Sequence, residues 1–186
     1  MIKCVLAFLA AVLLLAGCGG VKPEVPKQPE KKKPDISGIK IEGDASAAVN
    51  KLAIEAIADL QVYWADEFPK LYGEDYKPVK GGLYALTPDS ESGPECASNY
   101  GDVAGNAFYC KLDDSVAWDA SGLLPDLQSK YGDFVIPVVL AHEWGHAMQQ
   151  RSGFFDQNEL TVSSELQADC FAGGWPGMPK TMACST

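Results

Sequence analysis

The placement of the histidines constrains this chain more than any other feature. The sequence has only two, and both lie in the string His142-Glu143-Trp144-Gly145-His146. Residues four apart project from one face of a helix, one turn apart, so two imidazoles at this spacing can bind one metal ion. Two randomly placed histidines would show this spacing, with a glutamate after the first, about once in a thousand chains. The string therefore predicts a helical metal site rather than two unrelated surface or core histidines.

The flanking sequence predicts the helix that this site needs. The expected helix follows Asp133 and runs from about residue 134 to residue 151, with its end near Gly153. Glu143 lies beside the first histidine and is displaced around the helix, so it can reach a water on the metal without binding the metal. Zinc lowers the pKa of such a water to about 7, and a carboxylate can then take its proton. Glu143 is therefore the candidate catalytic base.

A third ligand is expected because a catalytic zinc has three protein ligands and one open position. Glu165 follows His146 by nineteen residues, which is enough for a second helix to return alongside the first. Asp169 stands one turn beyond Glu165, where it can accept the second ring N–H of a ligand histidine. These two acids could instead form a solvated helix face. Together with the upstream motif, they favour a site for one Zn²⁺ held by both histidines and Glu165.

The remaining pattern predicts an α+β domain. The expected elements are a helix over about 45–68 with Asp44 as its cap, a strand over 81–87, a hairpin from 107–110 and 116–118, a short helix over 122–131, and a last helix over 161–171 stopped by Gly173, Gly174 and Pro176. In the helix expected over about 134–151, Trp144 is expected to lie in the core or in a wall of the site. Gly145 is expected to permit a close approach.

Residues 1–18 have the pattern of an export signal. Lys3 precedes an apolar run that is too short to span a membrane, and the run ends in Leu15-Ala16-Gly17-Cys18. This box resembles the cleavage site of bacterial lipoproteins, in which the cysteine receives lipid. An ordinary secretory signal followed by a stray cysteine is the alternative. The pattern favours an exported protein anchored by Cys18 to the outer face of the cell membrane.

Four cysteines remain if Cys4 leaves with the signal and Cys18 is lipidated. An even set in an exported chain suggests two disulfides, although four cysteines allow three pairings. Proximity along the sequence favours Cys96 with Cys110 and Cys170 with Cys184. Metal binding by these cysteines is less favoured because they lack the close spacing typical of zinc ligands.

Residues 19–41 form a linker rich in proline and lysine. It contains four prolines, and six lysines against three acidic residues, so it should run as an extended spacer. The whole chain nevertheless has a formal net charge of -10, so the part after the linker is strongly acidic. This charge argues against a nucleic-acid partner, since phosphate binding requires a basic surface.

Several longer strings resemble the putative neutral zinc metallopeptidase family of bacteria, and in particular its actinobacterial lipoproteins. These strings are the segment from Asp59 to Tyr63-Trp64, Phe108-Tyr109-Cys110, Val116-Ala117-Trp118-Asp119, Ala141 with the histidine motif, and Glu165-Leu166-Gln167-Ala168-Asp169-Cys170-Phe171-Ala172-Gly173. The acid pair after the histidine motif is similar to the gluzincin arrangement. Together the strings cover about residues 50–175.

The resemblance implies a zincin-like metallopeptidase domain over residues 42–186 that hydrolyses a peptide or protein substrate. It implies His142, His146 and Glu165 as ligands, Glu143 as general base, and Asp169 as a partner of a ligand histidine. Members of this family normally continue well beyond the segment that ends this chain, so a C-terminal truncation is expected. A catalytically inactive zinc-binding remnant and a non-enzymatic envelope lipoprotein that binds a partner are the alternatives.

Overall fold

Helices and one small sheet make up the part of the chain that the computed structural model describes, residues 34–157 and 160–175. The elements are α1 (Ala48–Tyr72), β1 (Leu83–Leu86), β2 (Ala107–Cys110), β3 (Ser115–Asp119), α2 (Leu123–Tyr131), α3 (Val135–Arg151) and α4 (Thr161–Gly174), with 3-10 turns at Tyr100–Asp102 and Phe154–Gln157. This order confirms the predicted α+β class. The export signal, the linker up to residue 33 and the tail from residue 176 lie outside the described residues, so their assignments stay predictions.

The sheet has the strand order β1-β3-β2, and β3 lies in its centre. The predicted hairpin is confirmed: β2 and β3 pair antiparallel, with Ala107 opposite Trp118 and Cys110 opposite Ser115. Asp114 turns the chain between them with a positive φ of 57°. β1 pairs parallel to the other edge of β3. All five residues of β3 are buried, so both faces of this central strand are covered.

The predicted disulfide between Cys96 and Cys110 is present, with Cα atoms 5.7 Å apart. It fastens the polar loop before β2 to the last residue of that strand. The pairing of Cys170 with Cys184 stays a prediction because Cys184 lies outside the described residues.

The start of α1 differs from its prediction. Asp44 does not cap the helix; Ala47 occupies the N-cap position and has no side-chain capping bond. The Asp44 carboxylate instead accepts hydrogen bonds from the backbone N–H and the hydroxyl of Ser46. A local turn at Asp44 and Ser46 therefore competes with capping, as short polar side chains commonly do.

The end of α1 also lies beyond its predicted position. The helix continues through Pro69 to Tyr72, and Gly73 ends it in the left-handed conformation at φ 74°. A proline within a helix removes one backbone hydrogen bond. Packing offsets this cost, because Phe68 is only 2% exposed and its ring lies 4.7 Å from that of Tyr72.

α4 likewise runs through Gly173 to Gly174, where the sequence predicted a stop. Each glycine costs a helix about 1 kcal/mol relative to alanine, which weakens the helix without breaking it. Phe171 and Trp175 are both buried at this end. Their burial stabilises the last turn despite its two glycines.

α3 runs through the middle of the core and contacts α1, α2, α4 and β2. Trp144 on this helix is fully buried, as predicted, and its indole N–H donates to the Tyr76 hydroxyl at 3.0 Å. Trp118 from the sheet is buried too and donates to the Asn50 side chain of α1 at 2.9 Å. These bonds satisfy the polar atoms of two large core side chains. Over residues 34–157 and 160–175, every helix is too short or too polar to cross a membrane.

Candidate metal centre

The candidate centre lies where α4 runs back along α3. Gln149, near the end of α3, contacts Ser164 early in α4, whereas His142 contacts Asp169 further along α4. The two helices are therefore antiparallel. This direction brings the acidic pair of α4 level with the histidine pair of α3, so residues separated by about twenty positions share one site.

A glycine lets these two helices approach each other closely. A methyl group placed on Gly145 would lie 2.9 Å from the Cα of Ala168 and 3.1 Å from its carbonyl oxygen. Real Cβ atoms do not come this close to backbone atoms without a shift of one helix. The expected close approach at Gly145 is thus a helix–helix contact, and it sets the depth at which α4 presents its acids.

Three potential ligand atoms converge between the helices. The Nε2 atoms of His142 and His146 are 3.2 Å apart, and the Oε2 atom of Glu165 lies 3.2 Å from the first and 3.6 Å from the second. This trio is a group that could hold a metal ion. The convergence brings together the three residues that the sequence predicted as ligands.

The outer ring nitrogens of both histidines are occupied. His142 Nδ1 lies 2.8 Å from the Asp169 carboxylate, and His146 Nδ1 lies 2.8 Å from the Gln149 side-chain oxygen. Both partners are acceptors here, so each Nδ1 carries the proton and each Nε2 presents a lone pair. Gln149 was not predicted from the sequence. The available signal was its spacing, since it continues the helical stripe of His142 and His146.

The three potential ligand atoms fit a zinc ion. Three acceptor atoms face one another without a donor among them, an arrangement that a cation stabilises. Ligand atoms arranged tetrahedrally around zinc at about 2.0–2.1 Å lie about 3.3 Å from each other. The separations of 3.2, 3.2 and 3.6 Å among His142, His146 and Glu165 bracket that value. Two imidazoles and one carboxylate are also a set that catalytic zinc sites use.

Glu143 follows His142 on α3 and is only 7% exposed. Burial raises its pKa to about 8; the Tyr109 backbone N–H, which donates to it at 3.0 Å, lowers the value, and the Glu165 charge raises it. A carboxyl group with a pKa near neutrality can both take and return a proton. The Tyr109 contact was not predictable from sequence, because a strand N–H finds its partner only in the folded chain.

A second network holds Tyr109 itself in place. Its hydroxyl donates to the Asp114 carboxylate at 2.7 Å, and Asp114 pairs with Arg151 at 3.0 Å. Arg151 also donates to the backbone carbonyls of Lys77 and Pro78. The β2–β3 turn is thereby fastened to the end of α3, which keeps the strand that contacts Glu143 beside the helix that carries it.

The centre opens to solvent on the side of α4. The side chains of Glu165 and Asp169 are 51% and 68% exposed, against 23% and 14% for His142 and His146. Phe155 lies across the His146 ring, with centroids 6.5 Å apart. The protein thus surrounds the histidines on the core side and leaves an approach past the acids.

Comparison with known families bears on what this arrangement is. A family model described as "Putative neutral zinc metallopeptidase" matches residues 4–183. The chain belongs to this family. Membership in the putative neutral zinc metallopeptidase family confirms the resemblance seen in the sequence at family level. The family name implies zinc, and the group formed by His142, His146 and Glu165 could hold a metal ion.

Two relatives of this family member are informative. The chain is 30% identical over 185 residues to the protein YpfJ of Escherichia coli K12, a match that covers 90% of this chain and 61% of YpfJ. It is 34% identical over 79 residues to Rv2575 of Mycobacterium tuberculosis, which covers 37% of this chain and 27% of Rv2575. The chain therefore spans about three fifths of the length of YpfJ. No solved structure matches it significantly.

Proposed function

We propose that this family member is a zinc-dependent peptidase of zincin-like fold, with one Zn²⁺ held by His142, His146 and Glu165. The observation that carries the proposal is the convergence within 3.2 to 3.6 Å of two Nε2 atoms from α3, the helix that also carries the buried Glu143, and one carboxylate oxygen from α4. The family name supports the metal and the reaction class. The substrate class that this implies is a peptide or a protein.

Each side chain of the site has a separate role in hydrolysis. Bound zinc supplies Lewis acidity, which polarises a carbonyl and makes water more acidic. Glu143 accepts the proton of the attacking water and then passes it to the amine nitrogen that leaves when the C–N bond breaks. Asp169 keeps the His142 ring oriented. The Tyr109 N–H holds one oxygen of Glu143 and leaves the other free for the proton.

Glu143 suits this task because of its surroundings. Its raised pKa of about 8 reflects burial, and a nearby cation favours the ionised form that a base requires. The same burial strengthens its attraction for a proton in the reaction, since little water competes. A carboxyl group on the exposed face of α4 would lack this environment.

Zinc content and activity of the full chain test the proposal. We expect one zinc per chain in the wild type, lost in His142→Ala, and hydrolysis of a peptide mixture that a chelator abolishes and zinc restores. Glu143→Gln should keep the zinc and lose at least about 100-fold of the activity. Glu55→Gln, on an exposed site of α1, is the matched control.

Each outcome separates one alternative. A wild type without zinc affinity contradicts the metal site and favours a non-enzymatic envelope lipoprotein. A wild type that binds zinc but cleaves no more than Glu143→Gln is a zinc-binding remnant without catalysis. Equal, substantial activity in both proteins contradicts the role proposed for Glu143.

We also propose that the protein is exported and anchored by lipid on Cys18 to the outer face of the cell membrane. The support is the box Leu15-Ala16-Gly17-Cys18 after a short apolar run. Mass spectrometry of the mature N-terminus tests this, because lipidated Cys18 should become the first residue and carry acyl chains. An unmodified Cys18 in the mature protein would contradict the anchor.

A further inference from the structure

Gln149 is a fully buried polar side chain that the hydrolysis scheme does not use. It lies in α3, three residues after His146. A buried amide is costly unless both its oxygen and its nitrogen find partners. The identity of those partners therefore indicates what this side chain does.

Both polar atoms of the Gln149 side chain are engaged at the junction of α3 and α4. Its Nε2 atom donates to the Ser164 backbone carbonyl at 2.7 Å. Its Oε1 atom accepts from the Ser164 hydroxyl at 3.0 Å and lies 2.8 Å from His146 Nδ1. A carbonyl can only accept, so the amide nitrogen must face the Ser164 carbonyl and the oxygen must face His146. The amide orientation thus forces the proton of His146 onto Nδ1.

The same amide also holds the chain next to a second ligand. Ser164 directly precedes Glu165, whose carboxylate oxygen lies 3.6 Å from His146 Nε2. The Gln149 bond to the Ser164 carbonyl therefore fixes the backbone from which Glu165 projects. The Gln149 amide thus contacts the proposed ligand His146 through its oxygen. Through its nitrogen it contacts Ser164, the neighbour of the proposed ligand Glu165.

We propose that Gln149 is a positioning residue of the metal centre that couples His146 to Glu165. It sets the tautomer of the histidine and, through Ser164, the position of the helix that carries the glutamate. This inference rests on the proposed zinc site. A neutral amide suits a fully buried position, since a carboxylate there would require compensation for its charge.

The hydrogen-bond partner of the other ligand histidine, His142, is much more exposed than Gln149, and this difference gives a specific prediction. Asp169, beside His142, has a side chain that is 68% exposed. Water can replace an acceptor lost at that position, but not one lost at the buried position of Gln149. Removal of the Gln149 amide should therefore weaken zinc binding more than removal of the Asp169 carboxylate.

The test compares Gln149→Met with Gln150→Met in the full chain. Methionine is close to glutamine in size and lacks both amide functions, while the neighbouring Gln150 is exposed on the same helix. Zinc affinity is measured by competition with a chromophoric chelator. Two further readouts are the visible spectrum of the Co²⁺-substituted protein and the tautomer of His146 by long-range ¹H–¹⁵N correlation in the metal-free protein.

We expect Gln149→Met to bind zinc about 10- to 100-fold more weakly than the wild type, with an altered Co²⁺ spectrum and a mixed His146 tautomer. Gln150→Met should match the wild type in all three. The variant Gln149→Glu, when ionised, keeps an acceptor for His146 but presents no donor to the Ser164 carbonyl, so at alkaline pH it should retain the tautomer and still lose affinity. This second variant also serves if Gln149→Met fails to fold.

If the wild type binds zinc, unchanged zinc affinity and an unchanged His146 tautomer in Gln149→Met would overturn the role of Gln149. The proposed function would then remain intact. A loss of thermal stability alone, with all three metal readouts unchanged, would overturn it as well, because it indicates helix packing only. A wild type without zinc affinity would overturn the proposed function and this coupling with it.

Discussion

Gly145 of α3 lies against the backbone of Ala168 of α4 so closely that an added methyl group would come within 2.9 Å of the Ala168 Cα atom. Ala168 stands between the two acids of α4 that face the histidines. The distance between the helices at this contact therefore determines whether one glutamate can reach both imidazoles.

Substitution of Gly145 by alanine should destabilise the protein and weaken its metal site. Alanine gains about 1 kcal/mol in helix propensity, but overpacking against a fixed backbone costs about 1–3 kcal/mol, so a net loss is expected. Zinc affinity should fall as α4 shifts outward. Urea unfolding and zinc titration measure the two effects.

Gly173→Ala provides the matched control for this prediction. Gly173 lies in α4, and a methyl group placed on it would have nothing within 4 Å, so alanine should stabilise the protein by up to about 1 kcal/mol. Opposite signs for the two glycine variants are expected. A gain in stability for Gly145→Ala would contradict the close contact.

The two acids of α4 should differ in their effect on zinc. Glu165→Ala removes a proposed ligand and should weaken binding by more than the roughly 10- to 100-fold typical of an outer partner. Asp169→Asn, which alters only the partner of His142, should lie at or below the lower end of that range. Isothermal titration of each variant with zinc provides the comparison, with Glu55→Ala as a surface control. Equal losses for both variants would contradict the assignment of Glu165 as the ligand.

Asp119 at the end of β3 should make the fold sensitive to acid. Its carboxylate accepts four backbone N–H groups, those of Gly105, Ser121, Gly122 and Leu123. Burial raises the pKa of Asp119, but these bonds outweigh it and hold the pKa well below its usual range. A lowered folded-state pKa contributes stability that is complete above the unfolded value of about 3.9 and is lost as the pH falls towards the folded value.

Asp119→Asn should therefore lower the free energy of unfolding at pH 7 by about 1–3 kcal/mol, since an amide cannot accept all of these bonds and brings donors of its own. The difference from the wild type should shrink below about pH 4. Urea unfolding at about pH 7 and about pH 3 measures both values, with the exposed Asp89→Asn as control. A difference that stays constant with pH would contradict the lowered pKa.

The disulfide between Cys96 and Cys110 should stabilise the loop that leads into the hairpin. It closes a sequence separation of 14 residues, and a loop of about 15 residues corresponds to about 3 kcal/mol. The double variant Cys96→Ser/Cys110→Ser should lose about that amount in urea unfolding under oxidising conditions. Under full reduction the variant and the wild type should unfold at nearly the same urea concentration. A gap that persists in reductant would mean that the serines, rather than the missing bond, cause the loss.

Local pattern accounts for much of what the sequence predicted. Local sequence signals placed α2 and α3 within a residue or so and identified the hairpin of β2 and β3. The errors lie at helix ends, where α1 passes Pro69 and α4 passes Gly173. Propensity disfavours both continuations, but burial of Phe68 in one case and Phe171 in the other stabilises them. Tertiary packing thus overrode the local preference.

By itself, the sequence determined the chemistry of the candidate site, because the spacing of four between His142 and His146 places both rings on one face of any helix that forms. It also suggested Glu165 as their partner. Only the tertiary structure decided how the site is held: the bond from Tyr109 to Glu143, the amide of Gln149 between two helices, and the approach allowed by Gly145. A helix fixes the direction of its own side chains locally, whereas the contacts between elements exist only once the chain has folded and buried them.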